Sequence, residues 1–247
     1  MASTLNEAEA AELRQTAAIR EKPFTGPKTL LTRWLRAQAL NTSRHAAALR
    51  PFEKQEFGTG IAAPSDGHIE AVNALMGRLR GRLEQLTGRT ARAARMAANK
   101  PVRGPIHTML RSKERAHNYV RAIEKIWDFY FELFGQRQGK YGEWLVGCDR
   151  IALDCYQEAF MGTGASRSIP APPAFCYMRT GFSPATFTRG RVIRRLGQRN
   201  PFPLVQLPYH RLINPWTLGA VLHEVSHNLQ TDPGSPGQCH TRSRDAF

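Results

Sequence analysis

At 247 residues, 41% hydrophobic and with a mean hydropathy of -0.44, the chain has the profile of one or two globular domains with a good core. No apolar run approaches the roughly 20 residues of a membrane span, and the acidic start Met1-Ala2-Ser3-Thr4-Leu5-Asn6-Glu7-Ala8-Glu9 is not a secretory signal, so a cytoplasmic location is expected. Lysine and arginine number 35 against 20 acidic residues, a formal charge of +15, which suits an anionic partner (nucleic acid, membrane or acidic peptide) and equally a solvated helix face.

In chain order, Leu5 to Arg20 and Lys28 to Ala48 read as helices separated by the breaker run Lys22-Pro23-Phe24-Thr25-Gly26-Pro27. Gly58 to Gly67 is a loop. Ile69, Val72, Leu75, Leu79, Leu83 and Leu86 then recur at three and four, as do Ile106, Met109, Leu110, Val120, Ile123, Trp127, Phe131 and Phe134. These are two long amphipathic helices expected to pack together, and between Arg78 and Arg115 they carry eleven basic residues against Glu84 and Glu114. A further helix is expected from Glu143 to Phe160, ending at Gly162-Thr163-Gly164. Cys148 and Cys155 fall seven apart on one face of it; with Cys176 and Cys239 they form no C-x-x-C pair and are expected as reduced thiols. The Gly-x-Gly triplets at 58–60 and 162–164 lack the third glycine and the strand-to-helix setting of a phosphate loop, so they read as turns.

After Pro170-Ala171-Pro172-Pro173 the pattern changes to short strands at Ala174 to Arg179, Thr186 to Leu196 and Pro203 to Leu207. The expected class is therefore α+β, with a helical region over 1–165 and a sheet-bearing region over 166–247. From Ala159 to His223 there is no acidic residue and there are eight arginines.

The sharpest local signal is His223-Glu224-Val225-Ser226-His227. Histidines four apart on a helix share a face, so two neutral imidazoles can hold one zinc ion. Glu224, about 100° round the helix from His223, is placed to take a proton from a water activated at that ion. Asn214-Pro215 supplies an N-cap and a first helical proline ahead of the run Trp216 to Gln230. Leu218, Val221, Leu222, Val225 and Leu229 form its expected core stripe, with the histidines pointing the opposite way. Glu224 is the single charge in that run, as suits a helix enclosed on both sides.

In Val221-Leu222-His223-Glu224-Val225-Ser226-His227-Asn228-Leu229 the chain resembles the zincin metallopeptidases, which have uncharged residues around the motif and a hydrophobic one two places after the second histidine. The resemblance covers about fifteen residues. It implies zinc held by His223 and His227, Glu224 as catalytic base, and an upstream strand forming the edge along which a peptide substrate lies. Phe202 to Pro208 is the candidate for that strand, and Tyr209-His210-Arg211 is a candidate source of an oxyanion donor.

A catalytic zinc needs a third protein ligand. The metzincin branch would place glycine at 230 and histidine at 233, where this chain has Gln230 and Pro233; a gluzincin glutamate is missing, since no Glu follows Glu224. His240 is the first choice for the third metal ligand, ahead of Asp232, Cys239 and Asp245. The tail from Pro233 to Phe247 has no amphipathic period, which reads as a chain that ends before its catalytic domain does. The expectation is a zinc-dependent peptidase acting on proteins or peptides. The competing expectation is a non-enzymatic protein, either a basic binding module using Arg189 to Arg199 or a truncated zincin without its ion.

Overall fold

The structure is a computed structural model that describes residues 26–162, 169–193 and 197–231. The protein is α+β, largely helical with two small sheets. No described helix is long and apolar enough to cross a membrane. The expected helix from Leu5 to Arg20 lies outside the described residues.

The described residues fall into two compact units, the first drawn from 26–50 and 77–124, the second from 51–76 and the described residues after 124. The described part of the first unit holds α1 (Lys28–Ala48), the C-terminal part of α2 (Asp66–Asn99) and the N-terminal part of α3 (Arg103–Gly135). Helix α1 begins directly after Pro27, and Lys100-Pro101-Val102 separates α2 from α3 because proline cannot continue the ladder. One cluster of its core sets Leu31 and Leu35 of α1 against Ala94 and Ala97 of α2 and Met109 of α3, and Leu79, Leu83, Val120 and Ile123 are buried as well. Alanines on α2 let the helices approach closely, and the Thr90 and Ser112 hydroxyls hydrogen-bond across at 3.1 Å. Lys113 donates to the Gln38 side chain.

The second unit is richer in aromatics. Phe52, Phe57, Trp127, Phe131, Phe134, Phe175 and Phe202 form a continuous set of edge and stacked ring contacts, with centroids 4.7–6.4 Å apart. A second cluster joins α4 (Gly142–Gly162) to the sheet through Leu145, Cys148, Ala152, Tyr156 and Phe160 against Cys176, Val205 and Leu207. Glycine is required at the start of α4, because a Cβ at Gly142 would stand 2.4 Å from the Arg137 carbonyl oxygen. This unit therefore gathers α4 and the C-terminal part of α3 with the sheet, whereas a division at residue 165 groups them with the preceding helices.

The main sheet has the order β1 (Phe175–Arg179), β5 (Leu204–Pro208), β2 (Ala185–Phe187), with β1 parallel and β2 antiparallel to β5. Strands β3 (Val192–Ile193) and β4 (Gln198–Arg199) form a separate antiparallel pair. The single strand expected over Thr186 to Leu196 is thus two strands, parted at Gly190, whose φ of 74° an L side chain rarely adopts.

The outer edge of β1 is closed by side chains. Gln136 accepts from Met178 N–H at 2.7 Å and donates to its carbonyl at 2.8 Å, as a neighbouring strand would. Asp149 accepts from Cys176 N–H at 2.7 Å, and Arg137 donates to the Cys176 carbonyl at 2.6 Å. Arg137 is only 4% exposed, pairs with Asp149 at 2.8 Å and stacks on the Phe175 ring at 3.9 Å.

Candidate metal centre

The motif helix is α6 (Gly219–Thr231), which packs against α4, β2 and β5. It begins later than the Asn214-Pro215 signal implies. Asn214 Oδ1 accepts from Trp216 N–H at 3.2 Å, but what it caps is a separate 3₁₀ turn, Pro215–Thr217, before the α-helix proper. α5 (Tyr209–Leu212) is a single turn linking β5 to this segment.

His223 and His227 are both exposed and bring their Nε2 atoms to 3.3 Å, with the rings nearly perpendicular at 86° and centroids 4.8 Å apart. Two nitrogens bound to one tetrahedral zinc at about 2.0–2.1 Å each stand roughly 3.3–3.4 Å apart. The spacing thus fits two corners of a tetrahedron, and neutral imidazole is a suitable donor. Ser226 and Thr231 spend their hydroxyls on the helix, donating to the His223 carbonyl at 2.6 Å and the His227 carbonyl at 3.0 Å.

Glu224 behaves differently from its neighbours. It is 7% exposed and belongs to the buried face of α6 with Val221, Val225 and Asn228, while the histidines face out. The amide of Asn228, one turn beyond Glu224 on that face, is fully buried with neither Oδ1 nor Nδ2 hydrogen-bonded. The expected core stripe is correspondingly rotated. Val221 and Val225 are buried and Leu218 and Leu229 pack partly against the core, but Leu222 is 50% exposed. The helix is open on the histidine side rather than enclosed on both.

A cavity of about 360 Å³ borders His227, Gln230 and Thr231 on α6 and Thr186, Phe187, Thr188 and Arg191 across from them. The strand beside the motif helix is therefore β2. The expectation that Phe202 to Pro208 forms the edge is corrected, because β5 is the central strand, paired on both sides. Tyr209 does not border this cavity; it lines another of about 860 Å³ with Asp128, Glu132, Tyr141, Tyr177 and Arg179. Arg189 is likewise no free basic contact, since its guanidinium donates to the carbonyls of Pro170, Ala171 and Pro172 at 2.6–3.1 Å.

His240, Asp232, Cys239 and Asp245 lie outside the described residues. Among the described residues, no group of three or more His, Cys, Asp or Glu side chains is gathered to hold a metal. Two imidazoles are assembled. Cys148 and Cys176 offer no alternative, since both are buried free thiols; burial, then the Asp149 charge, pushes Cys148 up to about 11 and Cys176 well above the ordinary thiol range.

A second histidine pair, His45 and His117, meets edge to face in the first unit with centroids 5.6 Å apart. His117 Nε2 is buried without a partner, and burial together with Lys113, His45 and Arg121 lowers its pKa. No local spacing signals this pair, since its members are 72 residues apart.

No family model matches the chain, and no similar curated protein or solved structure was found.

Proposed function

We propose that the chain is a zinc-dependent hydrolase of peptide bonds, of the zincin type, with His223 and His227 as metal ligands and Glu224 as general base. The observation that carries this reading is the 3.3 Å approach of the two Nε2 atoms, which matches the edge of a zinc tetrahedron. Zinc, when bound, would supply Lewis-acid polarisation of the scissile carbonyl and acidify a water. His223 and His227 would hold the ion through neutral ring nitrogens. Glu224 leaves the helix about 60° from His227 and is the proposed proton acceptor, and its burial among Val221, Val225 and Asn228 limits the competing solvent. His240 is the proposed third ligand. A peptide would lie in the cavity between α6 and β2, along Thr186, Phe187 and Thr188. A cytoplasmic location agrees with the free cysteines, and the arginine excess would attract an anionic partner.

The second reading is a non-enzymatic basic protein, or a zincin relative without its ion, favoured by the presence of two ligands rather than three among the described residues. Metal content separates the two. Elemental analysis of purified chain should return one zinc, lost in His223→Ala and His227→Ala, reduced in His240→Ala and retained in Glu224→Ala. Hydrolysis of a mixed peptide library should fall about 10²- to 10⁴-fold in Glu224→Ala, the usual contribution of a general base. A wild-type chain that takes up no zinc when the metal is supplied would sink the hydrolase reading.

A further inference from the structure

The +15 charge of the chain is concentrated in one place. Within residues 26–50 and 77–124, the described part of the first unit, seventeen lysines and arginines stand against three acidic residues, an excess of fourteen. Fourteen of the seventeen are arginine, whose planar guanidinium binds phosphate through two parallel hydrogen bonds where lysine offers a point charge.

On α2 these arginines are ordered. Arg78, Arg82, Arg89 and Arg92 are all exposed and recur at i, i+4, i+11 and i+14, which places them within about 40° of one line along the helix. Gln85 falls on the same line and accepts from Arg82 at 3.1 Å. The row is about 21 Å long at 1.5 Å per residue. Glu84, the acidic residue of this part of α2, does not neutralise it, because it pairs with Arg80 at 3.0 Å on another side of the helix.

We propose that this arginine row docks on the phosphate backbone of duplex DNA, without reading sequence. Duplex DNA presents one phosphate per roughly 3.4 Å on each strand, so a row of about 21 Å laid along it spans about six phosphates of one strand. A single strand is a poorer fit, since binding it relies on aromatic platforms for the bases and the row contains none. Duplex RNA carries the same phosphate charge in an A-form lattice, and its competition against duplex DNA in the test below separates the two. An anionic membrane is disfavoured because the exposed residues along this row are polar or charged up to Met96, leaving no apolar face to enter the headgroup layer. This proposal rests on residues separate from the metal centre.

The test is fluorescence anisotropy of the full chain with a labelled 30-base-pair duplex across a salt series. The wild type should bind, with affinity falling steeply as salt rises. A variant carrying Arg78→Gln, Arg82→Gln, Arg89→Gln and Arg92→Gln should bind about tenfold or more weakly at 50 mM salt, and its log–log salt slope should be shallower by about 3 to 4, at roughly 0.9 per lost phosphate contact. A charge-matched control with Arg33→Gln, Arg36→Gln, Arg44→Gln and Arg121→Gln should keep most of the affinity and slope, with unchanged circular dichroism certifying the fold of both. Equal loss in both variants would overturn the assignment to α2. Tighter binding of single-stranded DNA, duplex RNA or phosphatidylserine vesicles than of duplex DNA would overturn the partner.

Discussion

His68 shows how a single buried side chain ties stability to pH. Its Nε2 lies 3.0 Å from the Pro173 carbonyl, so that nitrogen carries the proton, and Nδ1 accepts from the Ser65 hydroxyl at 2.7 Å. Phe175 and Phe202 enclose the ring. Burial lowers the pKa of His68 below its usual 6.5, outweighing the raising effects of the Pro173 carbonyl and Asp149, while Arg137 and Arg189 lower it further. Because the unfolded chain takes up this proton more readily, stability is full above about pH 6.5 and declines as pH falls toward the folded-state pKa, by at most about 1.4 kcal/mol per pH unit. His117 contributes in the same direction, so the informative quantity is a difference between proteins. Urea denaturation between pH 5 and 8 should give a steeper pH dependence for the wild type than for His68→Gln. Parallel curves would remove His68 from the account.

At the level of elements, β1 is protected by three side chains in place of a further strand. Gln136 satisfies both polar groups of Met178, and its loss in Gln136→Ala leaves them at an open edge, at a cost of about 1–2 kcal/mol. Asp149→Ala should cost more, about 3 kcal/mol, since it strands the buried Arg137 charge and removes the acceptor of Cys176 N–H. Chemical denaturation should rank the two in that order, with amide exchange accelerated at Met178 in Gln136→Ala and at Cys176 in Asp149→Ala; a milder Asp149→Ala would show that Arg137 reaches water. Helices were legible where the signal was local. Lys28 to Ala48 follows from Pro27 and apolar spacing alone, and the His223–His227 pair follows from one turn of helix. What is set by distant pairing was not. Leu204 to Pro208 has four of five residues buried, the mark of a strand covered on both faces, yet its central position depends on β1 and β2 arriving on either side. The same holds for the cavity at His227, whose far wall comes from residues 186–193. Leu222 fits an apolar stripe by spacing, but the buried face of α6 is rotated toward Glu224 and Asn228, a choice made by packing against α4 and the sheet rather than by periodicity.

Across the whole molecule, charge is divided unequally between the two units. The described part of the first holds an excess of fourteen positive charges, so its helices repel one another through solvent. Screening relieves that repulsion as the Debye length shrinks from about 30 Å at 0.01 M to about 10 Å at 0.1 M. Exposed ion pairs respond oppositely, weakening as salt is added. The first unit should therefore gain stability with sodium chloride between 10 and 200 mM, whereas the second, held by aromatic and aliphatic burial with a small net charge, should change little. Hydrogen exchange resolves the two in one experiment. Amides of Gly77 to Asn99 on α2 should become more protected as salt rises, while those of Leu204 to Leu207 on β5 hold constant. Loss of protection on α2 with added salt would mean that attraction outweighs repulsion in that unit, and its arginines would then be structural rather than available to a polyanion.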